Sequence, residues 1–238
     1  MNFYRRSDLQ PRELERLAQY DREILDLVGP DYPFPVRMRD WELLRVLDAM
    51  AGLPANARIL DTGAFNTYLG LHLSRRHPQV TVSDLLRARA RKSLLRRLGL
   101  APRKPTEAGY FTWVGLMRRH GLQVKNLDLT NTGLPDASFD CIVSLSVIEH
   151  IPAVEQALVE MYRLLAPGGR LLVTTDCSRE PRPFADGVRY FSVAELQRLF
   201  AGYPVTSARS EPDFAPENWC YGGQVPVVTC FVEITKPR

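Results

Sequence analysis

Hydrophobic positions along the chain fall into two rhythms. Over residues 8–28, Leu9, Leu14, Leu17, Ile24, Leu25 and Val28 recur near helical spacing among charged residues, which predicts a helix ended by Gly29 and Pro30. A proline-broken turn over 31–35 follows, and then Val36, Leu43, Leu44, Val46 and Leu47 predict a second helix that reaches Met50. From Ala57 the rhythm changes to short apolar runs alternating with helix-length segments. The runs predict strands over 57–61, 80–84, 124–129, 139–146 and 169–176. The clearest intervening helix spans 153–165, where Val154, Ala157, Leu158, Met161, Leu164 and Leu165 share one side, and Pro167, Gly168 and Gly169 then force a tight turn. Ser192 followed by Glu195 has capping-box spacing and opens a helix over 192–200. Two further strands, 205–209 and 225–234, are separated only by a loop, so they must pair antiparallel, because a parallel return needs a longer crossover.

This alternation predicts an α/β chain of Rossmann-like, doubly wound architecture. The expected sheet has seven strands, mainly parallel with a reversed terminal strand, and carries helices on both faces. The expected domain division is a helical cap over 1–52 and an α/β domain over 53–238, with an insertion at about 85–110.

Composition narrows the class. At 238 residues, 45% hydrophobic and 24% charged, the chain has the balance of a globular protein rather than a disordered or fibrous one. Its N-terminus lacks a signal-like apolar core, and nowhere is there an apolar stretch as long as the roughly 20 residues of a membrane span, so a cytoplasmic protein is expected. Cys141, Cys177, Cys220 and Cys230 have no Cys-x-x-Cys spacing, which favours reduced packing groups over a disulfide or a metal site. The net charge of +4 is concentrated: Arg87, Arg89, Arg91, Lys92, Arg96, Arg97, Arg103 and Lys104 stand together with no acid among them.

In an open parallel sheet, ligands sit beyond the carboxyl ends of the strands. That rule selects Asp61, Gly63, Ala64 and Phe65 after the first strand and Asp84 at the end of the second. It adds Asp128 and Leu129 at the third, and Ser144, Leu145 and Ser146 followed by Glu149 and His150 at the fourth.

On ILDTGAFNTYLG (59–70), VTVSD, LDLT (127–130), LPDASFDCIVSLSVIEHIP (134–152) and EMYRLLAPGGRLLVTT (160–175), the chain resembles the class I S-adenosylmethionine-dependent methyltransferases, in particular those acting on small molecules. The resemblance runs from about residue 57 to 236. It implies S-adenosyl-L-methionine as cofactor, with Gly63 and its neighbours Asp61, Ala64 and Phe65 beside the methionine portion and Asp84 on the ribose hydroxyls. Asp128 and Leu129 would hold adenine, and Ser144 would face the sulfonium. The sequence departs from the family's Asp-x-Gly-x-Gly-x-Gly loop at Phe65 and Thr67, where the second and third glycines would stand. Gly-x-Gly-x-x-Gly is also absent, which argues against a dinucleotide.

The expected reaction is O- or N-methylation of a small acceptor by direct displacement. His150 is the candidate base for a hydroxyl or ammonium acceptor, set against the reading in which Glu149 and His150 only order the turn. Acceptor contacts are expected from Tyr32, Arg37, Arg39 and Trp41 and from the loop 213–223. The basic insertion has three readings: a helix with a solvated face, a clamp for an anionic acceptor, or contact with an anionic membrane surface through 85–104. Specific nucleic-acid binding is disfavoured because its interleaved residues are leucines, and no metal site is expected. A methyltransferase-like scaffold without catalysis is the rival from another class.

Overall fold

The computed structural model describes residues 1–29, 35–37, 39–65, 67–85, 110–185, 187–219 and 226–238. The basic helix expected in the insertion therefore lies outside the described residues, as do Tyr32 and Cys220.

Nine strands and six α-helices order the described chain. Strand β1 is Asn2–Phe3, followed by helices α1, Pro11–Val28, and α2, Asp40–Met50. Then come β2, Ile59–Thr62, α3, Leu69–Ser74, β3, Val80–Asp84, α4, Tyr110–Arg119, and β4, Gln123–Asn126. The second half holds β5, Phe139–Leu145, α5, Val154–Leu164, β6, Leu165–Ser178, the hairpin β7, Arg182–Ala185, and β8, Val188–Tyr190, then α6, Val193–Phe200, and β9, Val227–Thr235. The main sheet has seven strands in the order β1-β9-β6-β5-β2-β3-β4. Strands β4, β3, β2, β5 and β6 are mutually parallel, and β9 runs antiparallel to β6. This is the expected doubly wound, mainly parallel sheet with a reversed strand.

Period-two alternation sorts the strand side chains onto two faces. Ile59, Cys141, Val143 and Leu172 pack with α1, α2, α3 and α4 on one face, whereas Leu60, Ile142, Leu171 and Val173 pack with α5 and α6 on the other. Ser192 caps α6: its hydroxyl accepts from the Glu195 amide at 3.2 Å while the Ser192 amide donates to the Glu195 carboxylate at 2.8 Å. Cys141, Cys177 and Cys230 are free and buried, and burial pushes their thiols upward, that of Cys141 to about 12. Among the described residues no helix is long and apolar enough to cross a membrane.

One expectation needs correction. The strand foreseen over 205–209 is reduced to one bridge, Val205 with Ile234. Its place beyond β9 is taken by β1, whose Asn2 and Phe3 pair antiparallel with Phe231 and Cys230. A two-residue strand carries no periodicity to read. Its hold is tertiary: Phe3 is buried at 3% exposure in the core, and its amide donates to Ser210 Oγ at 2.8 Å. The reversed strand is thereby covered rather than left as a bare edge.

Phe3→Ala is expected to lower the stability of the whole domain by about 3 kcal/mol, the usual cost of emptying a buried aromatic site. Urea unfolding followed by circular dichroism measures it, and a loss under about 1 kcal/mol would mean that β1 is peripheral to the fold.

Candidate active site

The strand order reverses around β2, with β3 on one side and β5 on the other. The three ends are level, since Thr62 pairs with both Ser83 and Ser144. Beyond that level opens a cavity of about 590 Å³. One wall holds Asp61, Gly63, Phe65 and Thr67 from β2 and its loop, with Asp84 and Leu85 from β3. The opposite wall holds Leu127, Asp128 and Leu129 after β4 and Leu145, Ser146, Val147 and His150 after β5. Tyr20, Arg37, Arg39 and Leu43 close it from the N-terminal helices.

The glycine-poor loop after β2 has its own anchor. Gly63 adopts φ 61°, and a Cβ there would stand 2.5 Å from Val147 Cγ2, so only glycine fits. The Phe65 ring does not need the room a glycine would leave. It is buried and meets Trp113 of α4 edge to face at 5.6 Å. Trp113 Nε1 also donates to the Thr67 carbonyl at 3.0 Å, and Thr67 Oγ1 donates to the Ala64 carbonyl at 2.9 Å. Trp113 escaped the sequence reading because its partners lie some 46 residues upstream.

Asp84 is oriented by backbone donors: the Leu85 amide reaches Oδ1 at 2.7 Å and the Phe65 amide reaches Oδ2 at 3.3 Å. Asp61 is buried, accepts from the Gly70 amide at 3.1 Å, and is pushed up to about 7 by burial. Asp128 is exposed, and Thr130 Oγ1 donates to it at 2.7 Å, which holds it below the usual carboxylate range.

Of the cofactor positions read from sequence, Asp61, Gly63, Phe65, Asp84, Asp128 and Leu129 share the cavity wall. Ala64 and Ser144 do not. Ala64 is buried with its amide bonded to the Ser83 carbonyl at 2.9 Å. Ser144 lies inside the ladder, fully buried, and its Oγ has no hydrogen-bond partner among the described residues. The chain turns into the cavity only past the strand end, through Ser146 at φ 52°, so the serine on the wall is Ser146. A positive φ at a non-glycine residue leaves no mark in the sequence.

His150 stands exposed at the cavity wall, with Nδ1 2.7 Å from the Gly187 carbonyl of the hairpin turn. A carbonyl only accepts, so Nδ1 carries the proton. Arg189 Nη2 donates to the Pro152 carbonyl at 3.0 Å, a second tie between hairpin and wall. Trp41 is buried away from the cavity against Tyr4, ring centroids 5.8 Å apart. The described part of the 213–223 loop is likewise remote: Asn218 Oδ1 accepts from the Arg6 amide at 2.8 Å.

Behind Arg39 lies a buried group of carboxyls, of which the sequence reading named only Glu149. Arg39 Nη1 is 3.2 Å from both Glu42 Oε1 and Asp176 Oδ1. Ser146 Oγ donates to Glu42 Oε1 at 3.2 Å, and Thr175 Oγ1 donates to Glu149 Oε2 at 3.0 Å. Burial pushes Glu42 up to about 7, and burial together with the Asp176 charge pushes Glu149 up to about 8.

Known proteins are similar to this chain in sequence and in fold. Residues 109–173 match a family described as a methyltransferase domain. A ubiquinone biosynthesis O-methyltransferase of Xanthomonas oryzae is 30% identical over 188 residues, which cover 73% of this chain; the chain spans 64% of that relative's length. The fold is similar to that of a Burkholderia thailandensis 1,6-didemethyltoxoflavin-N1-methyltransferase, solved with S-adenosylhomocysteine (TM-score 0.56, 19% identity, 95% of this chain and 88% of that one). It is similar, too, to the YcgJ protein of Bacillus subtilis (TM-score 0.56, 17% identity, 84% of this chain and 100% of that one). Motif order, topology and these matches make the chain similar to the class I S-adenosylmethionine-dependent methyltransferases, whose fold it shares.

The raised carboxyls have a thermodynamic consequence. The native state keeps protons that the unfolded chain releases above the ordinary carboxyl value of 4.5, so their contribution to stability falls as pH rises through about 7 to 8. A glutamine side chain cannot ionise. Glu149→Gln is therefore expected to be more stable than the parent at pH 8.5, by on the order of 2 kcal/mol, with the difference vanishing near pH 5. Thermal unfolding at the two pH values reads this, and an equal difference at both would contradict it.

Proposed function

We propose that the protein transfers the methyl group of S-adenosylmethionine to an oxygen or nitrogen of a small acceptor. The observation that carries this reading is one cavity in which a glycine cradle, Gly63 against Val147, faces a carboxylate, Asp84, held open by backbone amides. These residues fit the cofactor: Gly63 admits backbone beside the methionine portion, Asp84 suits the ribose hydroxyls, and Asp128 with the Leu129 amide suits adenine. When bound, the cofactor supplies an electrophilic methyl group, whose new bond to the acceptor forms as its bond to sulfur breaks and leaves the electron pair there.

The chain's own residues do the remainder. Leu127, Leu129, Leu145, Val147 and Ile151 give the cavity apolar walls that exclude water. Tyr20, Arg37 and Arg39 roof it, and Arg37 is fixed by Asp21 at 2.8 Å and by Asp40. Rigid placement of the acceptor is the main catalytic demand of a displacement. The ubiquinone and toxoflavin relatives named above methylate oxygen and nitrogen respectively by their own names, which supports a small acceptor without choosing its atom.

Calorimetry with S-adenosylhomocysteine tests the cofactor. Binding is expected, and Asp84→Asn is expected to weaken it about 10- to 100-fold, the usual range for a lost charged hydrogen-bond acceptor. Labelled S-adenosylmethionine incubated with small-molecule extracts of the host then identifies the acceptor. Folded protein that binds no S-adenosylhomocysteine would sink the reading.

A further inference from the structure

We propose that the acceptor's proton leaves through Ser146 Oγ to Glu42, and not through His150, so that Ser146 is a catalytic residue and Glu42 a positioning residue that receives the proton. The proposal rests on the methyltransferase reading and deepens it: the acceptor it describes carries a hydroxyl or ammonium group directed at the inner wall of the cavity.

Geometry separates the two candidates. Ser146 lies on the cavity wall, and its hydroxyl already donates to Glu42 Oε1 at 3.2 Å. Its backbone is held by Thr174, whose carbonyl and Oγ1 accept from the Ser146 amide at 3.2 Å and 2.9 Å. The left-handed turn at Ser146 brings the residue to the cavity wall while its hydroxyl stays bonded to Glu42. Glu42 is 4% exposed and does not itself line the cavity; of the two cavity residues that touch it, Arg39 keeps its protons, so a proton reaches it through Ser146. His150 also lines the cavity, and its Nδ1 donates to the hairpin carbonyl, which orders the turn and leaves Nε2 as its acceptor. It is exposed, however, and among the described residues no carboxyl hydrogen-bonds to it to take a proton onward.

The charges around Glu42 suit the task. Arg39 faces it from the residue before α2, Asp176 from β6, and the Ser146 hydroxyl from the end of β5, while Glu149 bears on Asp176 and Arg39 from behind. Burial and Asp176 raise the Glu42 carboxyl, and Arg39 and Ser146 draw it back, leaving it at about 7. A base poised near neutral pH is half ionised where it works best. As the acceptor atom forms its bond to carbon, its proton passes to Ser146 Oγ and the Ser146 proton passes to Glu42 Oε1. The acceptor gains a methyl group and loses a proton, Glu42 becomes neutral, and the serine is regenerated.

The test combines kinetics on the acceptor found by labelling with a measurement that needs no turnover. In Glu42→Gln, kcat is expected to fall about 100-fold, with acceptor KM and S-adenosylhomocysteine affinity within about threefold of the parent. The limb of the kcat profile that rises with pH through about 7 is expected to disappear. Ser146→Ala, which removes one half-buried hydroxyl without touching the core, is expected to lower kcat in the same way. Infrared difference titration with S-adenosylhomocysteine present is expected to show a carboxyl deprotonating near 7 that is missing in Glu42→Gln and shifted upward in Ser146→Ala, where the hydroxyl no longer supports the carboxylate. An unchanged limb in Glu42→Gln, a limb lost only in His150→Ala, or a Glu42 carboxyl ionised throughout pH 5 to 9 would each overturn the relay. Failure of the methyltransferase reading looks different: S-adenosylhomocysteine would not bind the parent, whatever the carboxyl titration shows.

Discussion

The backbone ladders that hold β3, β2 and β5 at one height set everything functional in this molecule. Thr62 is paired on one side with Ser83 and on the other with Ser144, so three parallel chains stop hydrogen-bonding to one another at the same level. Up to that level each side chain is committed to one of two apolar layers. Past it, the chain leaving β2 parts from the ends of β3 and β5, and the cavity opens among the segments that follow. A one-residue slip in either ladder would send Asp84 or Ser146 into the helical layers and bring leucines to the wall.

That convergence concentrates acidic groups where water is scarce. Asp61, Glu42, Glu149 and Asp176 are all buried, and Arg39 is the guanidinium that reaches two of them. Burying an isolated carboxylate costs far more than one ion pair returns, and the workable solution is to keep some carboxyls protonated near neutral pH. The raised values at Asp61, Glu42 and Glu149 express this. The same tension gives the cavity groups able to exchange a proton near neutrality, so what strains the fold equips the site.

Much of this was legible in the sequence, for definite physical reasons. Two-residue alternation within short apolar runs and turn signals between them located β2, β3, β5 and β6, and capping chemistry located α6. Asp84 was legible because it stands at the carboxyl end of the second strand, where an open parallel sheet places its ligands. What escaped reading depends on contacts between distant segments. Strand β1 exists only because Phe3 has a core to enter. Ser146 rather than Ser144 lines the cavity because of a backbone angle that no residue type announces. Glu42 stands in a helix read from its apolar positions alone, and its burial beside Asp176 of β6 and the turn at Ser146 depends on contacts across the fold. The hairpin over 182–190 has too few apolar residues to signal a strand pair.

The loop after β2 shows how a site can survive the loss of residues thought essential to it. Glycines there serve two separate ends, close approach of backbone to ligand and freedom to take a left-handed turn. Among the described residues of the loop, Gly63 meets both demands, since it combines positive φ with a neighbour that forbids a side chain. At positions 65 and 67 the chain uses side chains for what glycine cannot do: Phe65 packs on Trp113, and Thr67 is tied to Ala64 and to the same indole. Bulkier residues also lose less backbone entropy on folding than glycine does. The Phe65 amide is thereby held against Asp84 Oδ2, and a carboxylate oxygen with two acceptor positions can keep an amide and still take a hydroxyl. The anchored loop thus fixes the direction of the carboxylate before any ligand arrives, which lowers the ordering cost of binding. Substituting Phe65 and Thr67 for glycines exchanges adaptability for preorganisation, and the cradle at Gly63 is the one place where that exchange was not possible.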